Sequence, residues 1–169
     1  MARPHPVQPT TVDKPRIPSV YGAPSLSERV DWAHVEERLA ADKEYWVTTC
    51  GADGQPRSRP VSGFTMDGVI YIGGSRDARW ARDLEHNPKV TIHLADVWDV
   101  VIIEGNATML ENTPPDMAER LAAASNVKFP EYGMTAKNFS GPGPYAVRPR
   151  IVYAWTSFPR DMTRFRFEP

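Results

Sequence analysis

The sequence has one cysteine, no long apolar run and almost no net charge, and each of these absences excludes a class of protein. Cys50 stands alone among 169 residues. An intrachain disulfide or a cysteine zinc site is therefore impossible, and a reducing cytoplasm is the expected compartment. No segment has the apolar length to span a bilayer, and the first residues lack the apolar core of a signal peptide. A formal charge of -1 provides no global field for nucleic acid or anionic lipid, so neither is an expected partner.

Several chemical signatures are missing as well. The four histidines show neither HxH nor HExxH spacing and have no carboxylate cluster beside them, so no dedicated metal site is predicted. The patterns GxSxG, GxxxxGK[ST] and GxGxxG are absent, which removes the simplest hydrolase and nucleotide-binding interpretations. Cys50 has no visible partner histidine, and we interpret it as a small core or turn residue rather than a nucleophile.

The chain divides into a proline-rich arm and one folded domain. Residues 1–25 hold six prolines and predict an extended N-terminal arm, which is either a loose tail or a segment that wraps a partner subunit. Residues 26–169 are predicted to form a single domain. An apolar content of 41% and a charged content of 24% are typical of a globular protein of this length.

Within the domain, short apolar runs alternate with turn residues. Ser25 and Glu28 predict a capping box at the start of a first helix, and Gly105 predicts a bulge or bend in a long strand. The glycine- and proline-rich segment 128–144 predicts a surface or lid loop. Strands are predicted over residues 45–49, 56–64, 69–73, 90–94, 100–110, 151–156 and 164–167, with further helices over 78–85 and 116–125. This composition favours a closed or nearly closed antiparallel barrel with peripheral helices.

Basic residues gather on one strand and on the helix that begins near residue 78. Alternation sends Arg57 and Arg59 to one face of their strand, and Arg79 and Arg82 share a helix face. Together with Ser75 in the preceding Gly-Gly-Ser turn, they predict a phosphate cradle at a strand-to-helix junction. The alternative is a solvated helix face, because Glu85 lies within reach of Arg82 as an ion-pair partner.

These stretches resemble a known family. The succession TTCGADGQPRSRPV, DGVIYIGGS, RWARDLEHNPKVTIHL and DVVIIEGNATML looks like the pyridoxamine 5′-phosphate oxidase-like split β-barrel proteins. More narrowly, it resembles their actinobacterial flavin/deazaflavin oxidoreductase branch, as does the C-terminal YAWTSFPRDMTRFRF. The resemblance covers about residues 31 to 167. It implies a mainly β fold, a six-stranded FMN-binding split barrel of Greek-key type with peripheral helices. It also implies a homodimer with two cofactor sites at the subunit interface.

The resemblance also implies roles for particular residues. Arg57 falls on the strand whose basic residue contacts the cofactor phosphate, and residues 79–84 match the family's Arg-Lys-x-Arg-Asn-Leu helix start. Two residues depart from that pattern, because Trp80 replaces the usual phosphate-binding lysine and Asp83 replaces asparagine. Trp80 is therefore predicted to contact the cofactor by stacking on a ring, or to fill the dimer interface.

The function that the resemblance implies is hydride transfer between a bound cofactor and a small organic substrate, by an F420- or FMN-dependent oxidoreductase. F420 is favoured over FMN because the sequence looks closer to the deazaflavin branch, and haem ranks after both. The alternative is a non-catalytic binder of flavin, deazaflavin or haem, a carrier or sensor. The sequence identifies neither a catalytic acid nor the physiological substrate.

Overall fold

A computed structural model describes residues 6–25 and 27–168, and predictions that fall on residues 1–5, 26 and 169 lie outside the described residues. The strands in this part of the chain are β1 (Thr11–Asp13), β2 (Glu44–Cys50), β3 (Pro56–Met66), β4 (Val69–Ile72), β5 (Lys89–His93), β6 (Val100–Met109), β7 (Tyr145–Trp155) and β8 (Thr163–Arg166). The helices are α1 (Trp32–Ala41), α2 (Arg79–His86), α3 (Pro115–Lys128) and α4 (Ala136–Phe139).

The strands form one antiparallel sheet that closes on itself. Their order is β1-β8-β7-β4-β3-β2-β5-β6, and β6 pairs with β7 along its whole length. Strands β2 to β7 therefore make a closed six-stranded barrel, which β8 and β1 extend from β7. The prediction of a split barrel with peripheral helices is confirmed. Closure leaves the barrel strands without an open edge.

The predicted bulge at Gly105 is also confirmed. The register between β6 and β7 shifts between Glu104 and Gly105, and Arg150 of β7 is left without a paired residue. A Cβ on residue 105 would lie 2.4 Å from the backbone oxygen of Arg148, so only glycine allows the strands to approach here. Pro149, opposite Gly105, sits at the bulge, where a missing backbone N–H is tolerated.

Apolar side chains fill the barrel, and the helices cover parts of its surface. The inner face contributes fully buried residues from five strands: Val47, Ile70, Ile92, Val101 and Val147. Trp80 and Leu84 of α2 join this inner core. Helix α3 packs instead on the outer face of β3 and β4, where Phe64 and Tyr71 belong to a second apolar cluster.

The first helix begins later than the capping box predicts. The Glu28 amide does donate to Ser25 Oγ at 3.2 Å, but α1 starts only at Trp32. The Glu28 side chain pairs with Arg160 at 2.6 Å instead of turning back to residue 25. The amide of Val30 donates to Thr163 Oγ1 at 2.9 Å. Contacts with the distant C-terminal segment therefore hold residues 27–30 in a non-helical path.

Two segments differ in their local structure from the sequence predictions. Within the N-terminal arm, β1 pairs with β8, and both oxygens of the Asp13 carboxylate accept hydrogen bonds from Arg164, at 2.7 and 2.8 Å. The predicted lid, residues 128–144, contains α4 and buries Phe129 and Phe139 against α3. Its last residues are followed by the first half of β7, a strand that the sequence prediction began only at residue 151.

Lys128 joins α3 to α1 and β2 in a half-buried contact. Its Nζ donates to the backbone oxygen of Leu39 at 2.8 Å and to the Tyr45 hydroxyl at 2.6 Å, and it lies 4.2 Å from the centre of the Tyr45 ring. Burial lowers the pKa of Lys128 to about 8, although the carboxylates of Asp42 and Glu44 act in the opposite direction. Burial raises the pKa of Tyr45.

These shifts predict that the free energy of unfolding rises between about pH 8 and pH 10. In this window the unfolded chain keeps the Lys128 proton, whose ordinary pKa is 10.5, while the folded protein has released it. Above pH 10 the unfolded tyrosine ionises and the folded Tyr45 does not, which opposes the rise. Denaturant titrations at several pH values should show the rise in the native protein and a smaller one in Lys128→Met. Lys137→Met, at an exposed position, is the control. If the free energy of unfolding rises equally with pH in both variants, the rise does not come from Lys128.

Candidate functional site

A cleft of about 350 Å³ lies where α2 meets the β2–β3 turn. The cleft is lined by Gly51, Ala52, Asp53, Arg57, Arg79, Arg82, Asp83 and His86. Arg79, Arg82 and His86 recur at helical spacing, so one face of α2 supplies them, while Trp80 and Leu84 point the opposite face into the core. Strand pairing places Thr49 opposite Arg57, on the face of the sheet that α2 covers.

Asp83 ties this helix to the barrel. Its side chain is buried, with only 7% of the residue exposed. One carboxylate oxygen accepts a hydrogen bond from Thr49 Oγ1 at 2.9 Å, and the other accepts one from Arg57 Nη1 at 3.3 Å. A buried carboxylate is stable only with such partners, so Asp83 fixes the position of α2 against β2 and β3.

Arg57 is held by two carboxylates at once. Its Nη2 lies 2.6 Å from Asp53 Oδ2, in addition to the contact with Asp83. The hydrogen bond that Arg57 donates to Asp53 raises the pKa of Arg57. The hydrogen bonds that Asp53 accepts from the backbone amide of Gln55 and from Arg57 lower the pKa of Asp53. Arg57 is therefore a fixed cation at the base of the cleft, with much of its charge already compensated.

The other arginines keep their charge available to a ligand. Among the described residues, no carboxylate lies within 4.0 Å of Arg59, Arg79 or Arg82. Arg59 Nη1 donates only a long hydrogen bond, 3.4 Å, to Thr49 Oγ1. Burial lowers the pKa of Arg59, Asp83 acts against this effect, and the charges of Arg57 and Arg79 lower the pKa further. A bound anion would relieve this repulsion among like charges.

The structure gathers three of the predicted ligands in the cleft and leaves the others outside it. Arg57, Arg79 and Arg82 line the cleft. Arg59 lies close enough for the charges of Arg57 and Arg79 to lower its pKa. Ser75 does not line it, because its hydroxyl accepts a hydrogen bond from the Asp77 amide at 3.2 Å within its own turn. Its predicted role as a ligand stays a prediction without a supporting contact.

Trp80 lies in the barrel core and not in the cleft. Only 6% of the residue is exposed, and its ring meets Tyr145 edge-on at 5.2 Å between centroids. Its ring also lies against Gly74, where a Cβ would come within 2.9 Å of Trp80 Cζ2. The predicted contact between Trp80 and a cofactor is therefore not supported by this position, and neither is the predicted place at a dimer interface.

Sequence reasoning missed the two acidic residues of the cleft. The sequence marks Asp83 only as a departure from the family pattern and does not single out Asp53. The signal for Asp53 is its spacing of four residues from Arg57 across a tight turn. No local signal identifies the contact between Asp83 and Thr49, which are 34 residues apart.

Metal sites and membrane-spanning helices were sought throughout the described residues. Within residues 6–25 and 27–168, no group of three or more histidine, cysteine, aspartate or glutamate side chains is arranged to hold a metal ion. No helix in the same ranges combines the length and the apolar character needed to cross a membrane.

The chain belongs to the pyridoxamine 5′-phosphate oxidase family. The family's sequence model matches residues 32–142, which run from the start of α1 into the segment between α4 and β7 and include the whole arginine cleft. None of the curated proteins matches the chain at a significant level.

Solved structures share the fold at low sequence identity. A conserved hypothetical protein from Mycobacterium tuberculosis aligns over 79% of this chain and 89% of its own, with a TM-score of 0.62 and 18% identity. A haem-binding protein from Mycobacterium smegmatis has a TM-score of 0.57 and 21% identity, over 81% of this chain and 59% of its own. An F420 reductase has a TM-score of 0.54 and 16% identity, over 69% of this chain and 94% of its own. At these identities the likeness establishes the split-barrel fold.

The buried position of Trp80 predicts a large loss of stability when the ring is removed. Trp80→Ala should lower the free energy of unfolding by about 3–5 kcal/mol, because it leaves a cavity between α2 and Tyr145. Trp80→Phe, which keeps most of the packing, should lower it less. Denaturant unfolding followed by circular dichroism measures both. An unchanged stability in Trp80→Ala would place the ring outside the core.

Proposed function

We propose that this protein is an oxidoreductase that binds F420, or FMN as the second choice, and transfers a hydride to or from a small organic molecule. The observation that carries the proposal is the cleft at the end of the barrel, where a fixed Arg57 meets Arg79 and Arg82, which have no carboxylate partner, with Arg59 beside it. The family model and the F420 reductase fold neighbour support the same class of chemistry.

The cleft fits a phosphate group. Guanidinium groups recognise phosphate oxygens through charge-assisted hydrogen bonds, and Arg79 and Arg82 reach the cleft from adjacent turns of α2. Arg59 adds a partly buried cation beside the cleft. In this proposal Arg59, Arg79 and Arg82 bind the cofactor phosphate, while Arg57 and Asp83 keep α2 at the correct distance from β3.

A second hollow offers room for a ring next to the cleft. It has a volume of about 380 Å³, and it runs over the outer barrel surface from Cys50 and Pro56 to Asn106 and Ile151. Cys50 directly precedes Gly51 of the cleft, so the two spaces adjoin along the chain. We assign the ring of the cofactor to this hollow. The bound ring would supply the hydride chemistry, and the chain would hold and orient it.

A homodimer belongs to the same proposal. On the outer face of β2, Trp46 stacks on His93 with ring centroids 6.2 Å apart and planes 5° apart, and it remains 37% exposed. Trp98, in the β5–β6 turn, is 81% exposed. Large exposed aromatic side chains are typical of protein interfaces, and a second subunit on this face would also cover the adjoining hollow.

Visible spectra of the purified protein with F420, FMN or haem test the cofactor. Binding of F420 supports the proposal, and failure to bind any of the three would refute it. If F420 binds, its reduced form should be mixed with quinones, enones and nitro compounds. Oxidation by at least one acceptor is expected, whereas none would favour a carrier without turnover.

The cleft arginines are expected to control cofactor affinity. Arg79→Ala and Arg57→Ala should each weaken binding by about 1.5–3 kcal/mol, roughly ten- to a hundredfold, through loss of a charge-assisted hydrogen bond or of cleft geometry. Arg76→Ala removes the same charge outside the cleft and should change affinity little. Titration of the cofactor fluorescence measures all three. Unchanged affinity in both cleft variants would show that the cleft does not bind the cofactor phosphate.

The dimer proposal predicts that one charge on the exposed face changes the oligomeric state. Trp46→Glu should shift the protein from dimer toward monomer, because the partner would have to bury an unpaired carboxylate. Val127→Glu, at a position on α3 that is 86% exposed, is the control and should leave the dimer intact. Light scattering during size-exclusion chromatography reports the mass. A monomeric native protein would contradict the proposal.

A further inference from the structure

Two arginines stand on the outer face of β7, one on either side of a buried proline. Arg148 and Arg150 are exposed, whereas Pro149 between them is buried. The register shift at Gly105 leaves Arg150 without a paired residue. Arg150 and the next residue, Ile151, then line the same hollow, which regular alternation along a strand would not allow. The bulge therefore turns Arg150 toward the space that we assign to the cofactor ring.

Arg150 lies between two adjoining spaces. One is the ring hollow of about 380 Å³, and the other is a larger groove of about 560 Å³. This basic groove runs from Asn106 and Thr108 of β6 across Arg148 and Arg150 of β7 to Glu168. Asn106 and Arg150 line both spaces. A molecule in the basic groove therefore lies directly beside the contents of the ring hollow.

The charges around these two spaces favour an anion. Three cations line them, Lys89, Arg148 and Arg150, together with two carboxylates, those of Glu104 and Glu168, which leaves a net charge of +1. Among the described residues, no carboxylate lies within 4.0 Å of any of the three cations. An anionic ligand would thus find cations that it need not first separate from a close partner.

The basic groove lies on the side of the ring hollow that faces away from the arginine cleft. The hollow meets the cleft at Cys50 on β2, and it meets the groove at Asn106 and Arg150 on β6 and β7. Strands β2, β5, β6 and β7 are successive neighbours, so three strand spacings, roughly 14 Å, separate the two ends. A cofactor with its phosphate in the cleft enters the hollow from β2 and leaves the groove free for the substrate.

We propose that the substrate is a small organic anion, and that Arg150, assisted by Arg148, binds its anionic group. The proposal rests on the proposed function, because it takes the ring hollow as the place of the cofactor ring. The substrate must reach the ring, and Arg150 is the arginine that lines both the hollow and the groove. A guanidinium can hold a carboxylate by two parallel hydrogen bonds, so Arg150 would orient the substrate as well as bind it.

The test compares 4-nitrobenzoate with 4-nitrobenzamide, which has nearly the same shape but no charge. The protein is loaded with oxidised F420, or with FMN if only FMN binds. An oxidised cofactor has no hydride to donate, so calorimetric titration at pH 7.5 measures affinity without turnover. The native protein should bind the anion about tenfold more tightly than the amide. Arg150→Gln should abolish this preference, and Arg148→Gln should reduce it.

Arg16→Gln is the matched control. It removes the same charge at an exposed position of the N-terminal arm that lines neither space. The ratio of the two affinities should stay as in the native protein. An equal loss of preference in Arg16→Gln would overturn the proposal, because the net charge of the protein and not the position of Arg150 would then set it.

The affinity for the cofactor separates this role from a role in cofactor binding. Arg150→Gln should leave that affinity unchanged. If this variant binds the cofactor more weakly and keeps the native preference for the anion, then Arg150 holds the cofactor and the proposal is wrong.

The native protein alone can also refute the proposal. Equal affinities for the two nitro compounds, or no binding of 4-nitrobenzoate at millimolar concentration, would refute the substrate assignment and leave the proposed function standing. Failure of the native protein to bind either F420 or FMN would refute the proposed function itself, and the substrate assignment with it.

Discussion

A buried carboxylate requires hydrogen-bond partners, and the partners of Asp83 set the position of the helix that carries the cleft arginines. Thr49 of β2 and Arg57 of β3 each satisfy one of its oxygens, so a single side chain joins one helix to two strands. Removal of one partner from such a group typically costs about 3–5 kcal/mol. The position of α2, and with it the positions of Arg79 and Arg82, therefore depends on this contact.

The same helix must supply both a core face and a charged face. Trp80 and Leu84 occupy the inner face, and the arginines occupy the outer one. Position 80 lies on the inner face, where the Trp80 ring is buried against Tyr145. The tryptophan therefore strengthens the attachment of α2 to the barrel and adds no charge to the cleft. Gly74 permits this packing by leaving room for the ring.

Local patterns predicted most of the barrel, and contacts between distant residues account for what they missed. Asp67 and Gly68 both have positive φ, 53° and 74°, as the turn residues of a tight hairpin must, and they lie between the predicted strands 56–64 and 69–73. Strand β1 is different, because its three residues pair with β8 and Asp13 reaches Arg164 across 151 positions. The first half of β7 was missed because Pro149 normally argues against a strand, and only the bulge opposite Gly105 accommodates it.

Local patterns were likewise only part of the answer at the site. Helical and strand spacing predicted which arginines share a face, but not which of them have carboxylate partners or how far each is buried. Arg57 has two carboxylate partners, which compensate much of its charge before an anion enters. In the proposed function, the anion would therefore gain most of its binding energy from the other three arginines, which are not equivalent. Arg59 is partly buried and sits beside Thr49, whereas Arg79 and Arg82 are exposed and would lose more side-chain freedom on binding. In that proposal Arg59 is the contact with less side-chain freedom to lose, and Arg79 and Arg82 supply the other two positive charges.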